Sequence, residues 1–176
     1  RRINYSQKQS YYEKNFRMND KYIQTYSGIR FWPLDPRIED INLEDIAHAL
    51  SMQCRFSGHT SFHYSVAQHS LIVSEYCKPE NALAGLLHDA SEAYLIDVPR
   101  PIKPHLIGYA DAEDKIMKLV SQKFGFEYPF DDEIKELDLK VLYLEKQQLL
   151  KELTWSMKFP ETKIENYQIK KKNPED

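Results

Sequence analysis

The sequence predicts an all-α fold, a compact helical bundle preceded by a small N-terminal hairpin or extended arm. From residue 42 onward, apolar residues recur at helical spacing, without the apolar–polar alternation of half-buried strands. The chain contains only five glycines among 176 residues, so it lacks the frequent turn signals of an all-β domain. Hydrophobic residues make up 41% and charged residues 29% of the chain, which is typical of a folded globular protein.

Four segments are predicted along the chain. Residues 1–17 are polar and tyrosine-rich without a periodic pattern, which predicts a flexible extension. Residues 18–41 contain Ser-Gly and Asp-Pro turn signals between short β-prone pieces, which predicts the hairpin or arm. Residues 42–160 form the helical domain, and residues 161–176 form a charged C-terminal tail.

Five helices are predicted within the helical domain. Asn42 can cap the first, because its side-chain oxygen can accept from an unpaired backbone N–H group. Asp131 and Asp132 precede the last helix and are interpreted as capping acids. Gly85 lies inside the third helix, where glycine costs about 1 kcal/mol relative to alanine, so we expect a neighbouring helix to approach closely there. The predicted bounds are about 43–53, 64–77, 80–95, 104–124 and 132–157.

Charge, hydropathy and cysteine content exclude several classes of protein. The formal net charge of -3 argues against nucleic acid as the main partner. No apolar run approaches the roughly 18 residues of a membrane helix, and the N-terminus lacks a signal-peptide core, so we expect a cytoplasmic protein without a membrane partner. Cys54 and Cys77 lack CxxC spacing and indicate neither a disulfide framework nor a zinc knuckle.

Three predicted helices carry polar side chains in unusual places. On a helical wheel of about 100° per residue, His69 and Asp138 lie on apolar stripes, while His88, Asp89 and Glu92 share one wedge. A buried carboxylate is costly unless it is paired, hydrogen-bonded or bound to a metal. Two imidazoles and two carboxylates form a ligand set suited to Mn²⁺, Fe²⁺, Co²⁺ or Zn²⁺. The alternatives are a satisfied core histidine, a buried ion pair and a solvated helix face.

The order of these residues resembles the HD superfamily of metal-dependent phosphohydrolases, in which a histidine precedes a His-Asp pair and a distant aspartate. The matching residues are His69 in VAQHS, His88 and Asp89 in LLHDASE, and Asp138 in ELDLKVLYLE. HDASE followed by DVPRPIK is similar to the 5'-deoxynucleotidase branch and to small phage deoxynucleoside triphosphohydrolases. The resemblance covers about residues 43–150. It implies an HD-type helical bundle, one divalent ion held by these four residues, and a homo-oligomer, as a dimer or a larger assembly.

The resemblance also implies two phosphate-binding residues. Arg55 precedes His69 by 14 residues, as does a phosphate-contacting arginine in the nucleotidase branch. That branch generally has a tryptophan after the arginine, where this chain has Phe56, so we expect a different base or sugar pocket. Lys103 is the second candidate for the phosphate oxygens. Its alternative is an exposed lysine that follows a proline turn.

Two carboxylates are the candidate catalytic residues. Glu92 lies one predicted turn beyond His88, where it would act as a general acid or orient water. Asp97 precedes the 98–101 turn and would position water or the sugar, although it could also simply form the turn. Glu113 could orient a metal ligand, but an ordinary salt bridge is the favoured interpretation.

These expectations lead to one preferred activity and two alternatives. We expect a phosphohydrolase that acts on nucleotides and releases phosphate from deoxynucleoside 5'-monophosphates. The first alternative is triphosphohydrolysis of deoxynucleoside triphosphates at the same site. The second is a nucleotide sensor that binds its ligand without turnover, although five intact candidate site residues argue against a degenerate site.

Overall fold

The computed structural model describes residues 21–161 and 164–175, and within these ranges it confirms a mostly helical fold with a small hairpin. The predicted extension at residues 1–17 lies outside the described residues. In the described part of the chain, no helix is long and apolar enough to cross a membrane. The strands are β1 (Ile23–Gln24) and β2 (Arg30–Phe31), and the helices are α1 (Leu43–Met52), α2 (Val66–Tyr76), α3 (Ala82–Leu86), α4 (Glu92–Leu95), α5 (Tyr109–Phe124) and α6 (Asp132–Leu149).

The hairpin is anchored to the helices at both its turn and its second strand. β1 and β2 pair antiparallel, and the turn between them contains Ser27. Asp45 on α1 is 2% exposed and accepts from Ser27 N at 2.6 Å and from Ser27 Oγ at 2.8 Å. The fully buried Phe31 ring stacks on Tyr94 of α4 with ring centroids 3.9 Å apart. The hairpin therefore packs on the short helix that begins at Glu92.

Two apolar clusters contact α2, one at its beginning and one near its end. The first contains Val66 at the start of the helix and residues from β2, α1, α5 and the α3–α4 region. The second contains Ile72 and Val73 near the end of the helix, together with residues of α6. His69 lies between these positions and is fully buried. Burial of apolar surface at both ends of α2, at roughly 25 cal/mol per Å², thus fixes the helix that presents this imidazole.

The predicted N-caps Asn42 and Asp131 are confirmed at the first and last helices, whereas Asp132 is the first residue of α6 and not its cap. The Asn42 side chain accepts from Glu44 N at 3.0 Å, and the Asp131 side chain accepts from Ile134 N at 3.2 Å. These bonds satisfy backbone donors that have no partner within the helix. α1 and α2 also begin and end within two residues of their predicted bounds.

The prediction of one helix over residues 80–95 is wrong. α3 ends at Leu86 and α4 begins at Glu92, and the backbone between them forms tight turns. In a continuous helix, Gly85 O would accept from the backbone N–H of Asp89. Here it accepts from His88 Nδ1 at 2.8 Å, a side-chain bond that competes with the helix. His88 and Asp89 therefore lie on a turn and not on a helix face.

The predicted bounds of the last two helices also need correction. α5 begins at Tyr109 instead of residue 104, because Gly108 is left-handed with φ 83° and separates it from the 3₁₀ turn at Lys103–His105. α6 ends at Leu149 instead of residue 157. Leu150 is extended, and the carbonyl of Leu149 accepts from Ser61 N at 2.9 Å. α6 therefore ends at the residue whose carbonyl accepts a hydrogen bond from Ser61, in a distant loop.

Candidate metal and phosphate site

Three predicted ligands converge between α2, the turn after α3, and α6. One donor atom from each of His69, His88 and Asp138 lies within 4.8 Å of the others. His69 Nε2 is 3.2 Å from His88 Nε2 and 3.2 Å from Asp138 Oδ1. Nitrogen and carboxylate oxygen atoms at this spacing could hold a metal ion.

The two imidazoles are held by hydrogen bonds on their far nitrogens. His88 Nδ1 lies 2.8 Å from Gly85 O, and His69 Nδ1 lies 2.7 Å from Glu145 Oε1. A carbonyl oxygen only accepts, so His88 Nδ1 carries a proton and a neutral ring keeps its lone pair on Nε2. The arrangement therefore directs the Nε2 atoms toward the shared space, as the orientation of metal-binding histidines requires.

Asp89 contacts the same space from the side. Its Oδ2 atom lies 3.2 Å from His88 Nε2, 3.7 Å from His69 Nε2 and 3.6 Å from Arg55 Nη1. Burial opposes ionisation of Asp89, but its interactions with the His88, His69 and Arg55 side chains together lower its pKa well below the usual range. Asp89 lies outside the group of three whose donor atoms cluster, so its role as the fourth ligand stays a prediction.

The charges of Asp138 and His69 depend on each other. Burial opposes ionisation of Asp138, but the hydrogen bond from His69 lowers its pKa to about 2. Burial and the Arg55 charge would lower the pKa of His69, but Glu145 and Asp138 outweigh them and raise it to about 9. These acids therefore favour a positive charge in the space between them. In the metal-free protein, the proton on His69 supplies that charge. A metal ion held by His69 would have to displace this proton.

Glu145 belongs to the site although the sequence interpretation missed it. It is fully buried on α6, and its Oε2 atom lies 3.1 Å from Arg55 Nη2. Burial opposes its ionisation, but Arg55 and His69 lower its pKa. Glu145 follows Asp138 by seven residues, or about two helical turns, so both lie on one face. A second acidic residue on the apolar stripe of Asp138 was therefore the feature of the sequence that could have identified Glu145 as a site residue.

Arg55 lies beside the ligands but already has acidic partners. Its side chain is 11% exposed and contacts Glu145 and, at longer range, Asp89. Burial would lower the pKa of Arg55, but these acids raise it above the usual value and keep the guanidinium charged. A buried cation next to the site is compatible with a phosphate contact. Its phosphate role nevertheless stays a prediction.

The residue after the arginine adopts an unusual backbone conformation. Phe56 and Ser57 have φ values of 54° and 52°, in the left-handed region that few non-glycine residues occupy. This places the Phe56 ring 5.6 Å from the Arg55 guanidinium and 6.5 Å from the Trp155 ring. Such strained residues cluster at functional sites, but the different base or sugar pocket expected at Phe56 stays a prediction.

Glu92 is a buried carboxyl group with a raised pKa. Its side chain is 7% exposed, and its Oε2 atom has no hydrogen-bond partner among the described residues. Burial, followed by the charges of Asp89 and Asp97, raises the pKa of Glu92 to about 9. Lys103 Nζ lies 3.9 Å from Glu92 Oε1. The group is therefore protonated at neutral pH and able to donate.

Lys103 has a second and closer acidic partner. Its Nζ atom lies 2.6 Å from Glu113 Oε1, which confirms the salt bridge favoured for Glu113. The Lys103 side chain is 33% exposed. It thus differs from the free surface lysine of the alternative interpretation, while its contact with phosphate stays a prediction.

Gln53 bridges the backbones of the two candidate catalytic residues, Glu92 and Asp97, and was also missed. Its amide nitrogen donates to Glu92 O at 2.9 Å, and its amide oxygen accepts from Asp97 N at 3.0 Å. Between them, Ile96 has φ 77°, which is rare for a β-branched residue. Burial raises the pKa of Asp97. Sequence periodicity holds no signal for Gln53, because its contacts are far away in the chain.

Arg100 is a third residue that the sequence interpretation did not assign. It belongs to the DVPRPIK run, and its Nη2 atom lies 3.3 Å from Asp138 Oδ2. The Arg100 side chain is 58% exposed. The turn therefore brings an accessible positive charge next to a candidate ligand.

Gly85 supports the site through close packing, as the sequence predicts. A Cβ atom at this position would lie 2.6 Å from Cys77 Sγ and 3.4 Å from Ser74 Cα. The absent side chain lets α3 approach α2 closely. The same residue supplies the carbonyl that orients His88.

Gly85→Ala is expected to lower the free energy of unfolding by about 1–2 kcal/mol. Overpacking costs about 1–3 kcal/mol and exceeds the gain of up to about 1 kcal/mol for alanine in a helix. Urea denaturation measures the difference. In a Cys77→Ala background the clash with Sγ is removed, so the same substitution should be neutral or stabilising. Equal losses in the two backgrounds would contradict this explanation.

The chain is similar to two bacterial proteins. It is 40% identical over 128 residues to YfdR from Escherichia coli (strain K12), covering 73% of this chain and 72% of YfdR. It is 38% identical over 137 residues to RCAP_rcc00048 from Rhodobacter capsulatus, covering 70% of each chain. Both are described as uncharacterized proteins. No family model matches the sequence.

Proposed function

The chain belongs to the same protein family as YfdR, and we propose that it is a metal-dependent phosphohydrolase acting on deoxynucleoside 5'-monophosphates. One observation carries the proposal: donor atoms of His69, His88 and Asp138 lie within 4.8 Å of one another. The hydrogen bonds on the far nitrogens of both imidazoles support it, because they leave the Nε2 atoms to face this space.

The residues present fit a divalent ion. His69, His88 and Asp138 would hold it, with Asp89 as the fourth ligand, and Mn²⁺, Co²⁺, Fe²⁺ and Zn²⁺ all accept such donors. The chemistry that a bound ion supplies is that of a Lewis acid, which lowers the pKa of water and neutralises charge on a phosphoryl group. The raised pKa of His69 supports this fit, since the acids around it already favour a cation.

The surrounding side chains suit the hydrolysis of a phosphate ester. Water attacks phosphorus, the bond from phosphorus to the 5'-oxygen breaks, and this oxygen needs a proton to leave as an alcohol. Glu92 is protonated at neutral pH and is one turn from Asp89, so we assign it the role of proton donor. Asp97 is held on the same loop by Gln53 and would position water or the sugar.

The charge around the candidate ligands supports a phosphorylated substrate. Arg55, Lys103 and Arg100 each lie within 4 Å of a carboxylate of the site. Arginine and lysine side chains bind phosphate oxygens. The preference for deoxynucleotides rests on the resemblance of HDASE and DVPRPIK to the 5'-deoxynucleotidase branch.

A hydrolysis screen tests the proposal. The full chain is loaded with Mn²⁺ or Co²⁺ and incubated with deoxynucleoside mono-, di- and triphosphates, while inorganic phosphate and triphosphate are measured separately. We expect phosphate from the monophosphates, loss of this activity with a chelator, and its return when the metal is restored. Triphosphate from deoxynucleoside triphosphates would replace the proposal with triphosphohydrolysis. A nucleotide-dependent rise in melting temperature without any product would favour the sensor.

A further inference from the structure

A single buried carboxylate joins a candidate metal ligand to a candidate phosphate ligand. Glu145 is fully buried, its Oε1 atom lies 2.7 Å from His69 Nδ1, and its Oε2 atom lies 3.1 Å from Arg55 Nη2. We propose that Glu145 is a positioning residue that couples metal binding at His69 to phosphate binding at Arg55. The phosphate half of this coupling rests on the proposed function, whereas the metal half needs only a metal site.

The metal half follows from the orientation of the His69 ring. An ionised carboxylate only accepts hydrogen bonds, so Glu145 Oε1 selects the ring with its proton on Nδ1. The opposite nitrogen then faces His88 Nε2 and Asp138 Oδ1, each 3.2 Å away. Outer carboxylates of this kind fix the tautomer and the ring orientation of metal-binding histidines.

The phosphate half follows from the position of Arg55. Its Nη2 atom is held by Glu145, while Nη1 lies 3.6 Å from Asp89 Oδ2 on the side of the candidate ligands. Its backbone N–H also donates to Tyr64 O at 2.9 Å, so the residue is fixed at both ends. Glu145 thus determines where the guanidinium lies relative to the ion.

The coupling arises because each partner needs an acceptor. His69 Nδ1–H donates to one oxygen, and Arg55 donates to the other. A glutamine amide has one oxygen that accepts and one NH₂ group that only donates, so it cannot present an acceptor to both partners from its two ends. If its oxygen faces His69, its NH₂ group opposes Arg55. If its oxygen faces Arg55, its NH₂ group favours the His69 tautomer that is protonated on Nε2.

Helix α6 also links these groups mechanically. Asp138 and Glu145 lie on one face of the helix, seven residues or about 10 Å apart along its axis. Both contact His69, through Nε2 and Nδ1 respectively. A shift of this helix would therefore disturb a ligand and the residue that orients its neighbour together.

Glu145→Gln in the full chain tests the coupling by binding measurements. Calorimetry measures the Kd for Co²⁺ and then the Kd of the Co²⁺-loaded protein for inorganic phosphate. We expect Co²⁺ binding to weaken by about 10- to 100-fold, as for other outer-shell partners of metal ligands, and phosphate binding to weaken as well. The matched control is Glu136→Gln on the same helix, where the glutamate is 52% exposed and pairs with Lys140. It should change neither value.

Arg55→Lys separates the two halves. It should weaken phosphate binding while Co²⁺ affinity stays within about threefold, because His69 keeps its carboxylate partner. In the double variant with Glu145→Gln, the loss of phosphate affinity should be smaller than the sum of the two single losses. Additive losses would show that the residues act independently and would overturn the coupling.

The wild-type protein provides a measurement that does not depend on a variant folding. In the Zn²⁺-loaded chain, ¹⁵N shifts of the His69 ring should show a proton on Nδ1. A ring protonated on Nε2, absence of metal binding, or unchanged Co²⁺ affinity in a folded Glu145→Gln variant would each overturn the proposal. If Glu145→Gln weakens Co²⁺ and phosphate binding but no nucleotide is hydrolysed, the coupling stands and the proposed function fails.

Discussion

Replacing His88 by alanine is expected to remove the bound ion and abolish phosphate release. Its Nε2 atom lies 3.2 Å from both His69 Nε2 and Asp89 Oδ2, so the variant loses a central donor of the cluster. Loss of a direct ligand should cost more than the roughly 10- to 100-fold in affinity that loss of an outer-shell partner costs. Asp89→Ala should have the same effect.

The His88→Ala variant should keep its helices. The turn retains the backbone bond from Ala90 N to Leu87 O at 3.0 Å, and the His88 ring contacts polar site residues. Without the His88 ring, Gly85 O can accept from the backbone N–H of Asp89. This is the hydrogen bond of a continuous helix, so the substitution favours helix formation at this turn.

Metal analysis, phosphate release and circular dichroism together test this prediction. The matched control is His48→Ala, which removes an exposed imidazole that stacks on Tyr26 of the hairpin turn. It should retain metal and activity. Full metal occupancy in His88→Ala would show that the ligand assignment is wrong, even if activity were lost.

The parts of the site that could be predicted depend on local periodicity. His69 and Asp138 were identified because each places a polar group on an apolar stripe, and the structure brings both to one space. To recognise such a residue, one needs only the periodicity of the helix and the free-energy cost of burying a charged group. Glu145 obeys the same rule, so it was predictable in principle from its place on the stripe of Asp138.

The missed parts depend on contacts between distant segments. Gln53 pairs with Glu92 and Asp97, which follow it by 39 and 44 residues. The end of α6 depends on Ser61, whose N–H donates to Leu149 O. No local window contains both members of such a pair. Helix propensity is a weak prior that tertiary contacts override.

The break between α3 and α4 has another physical origin. A helical wheel assumes that every backbone carbonyl accepts from the N–H four residues later. At Gly85 the acceptor is used by the ring of His88, three residues later. The wheel therefore placed His88, Asp89 and Glu92 on one helix incorrectly, although the Asp89 charge still acts on Glu92 and raises its pKa. A side chain with its own donor can end the helix that it belongs to.

Glu92→Gln is expected to keep the ion and lose turnover by about 100-fold or more, the range for loss of a general acid. The amide has nearly the shape of a protonated carboxyl group but cannot supply a proton to the leaving oxygen. The variant should therefore bind metal normally. Measurements of kcat and metal content separate the two effects, with Glu136→Gln as the control that should retain both. Normal kcat in Glu92→Gln would refute the proton-transfer role.

The pH dependence of wild-type activity should also report the protonation of Glu92. The proton donor must be protonated, so activity should fall as pH rises through the Glu92 pKa. A cation bound beside Asp89 offsets one of the charges that raise this pKa, so the fall should begin below the metal-free value of about 9. The variant's residual activity should lack this alkaline fall. A profile that is identical in shape for both proteins would assign the titration to a different residue.

The metal-free protein offers an independent measurement of the Glu92 pKa. Because the folded-state pKa is raised from 4.5 to about 9, the folded chain binds a proton that the unfolded chain has released between these values. The contribution of Glu92 to stability is therefore fully present below pH 4.5 and is lost as pH rises to about 9. Glutamine stays neutral, so the melting temperature of Glu92→Gln relative to wild type should increase across this window. A constant difference would mean that burial and the nearby charges of Asp89 and Asp97 do not keep Glu92 protonated.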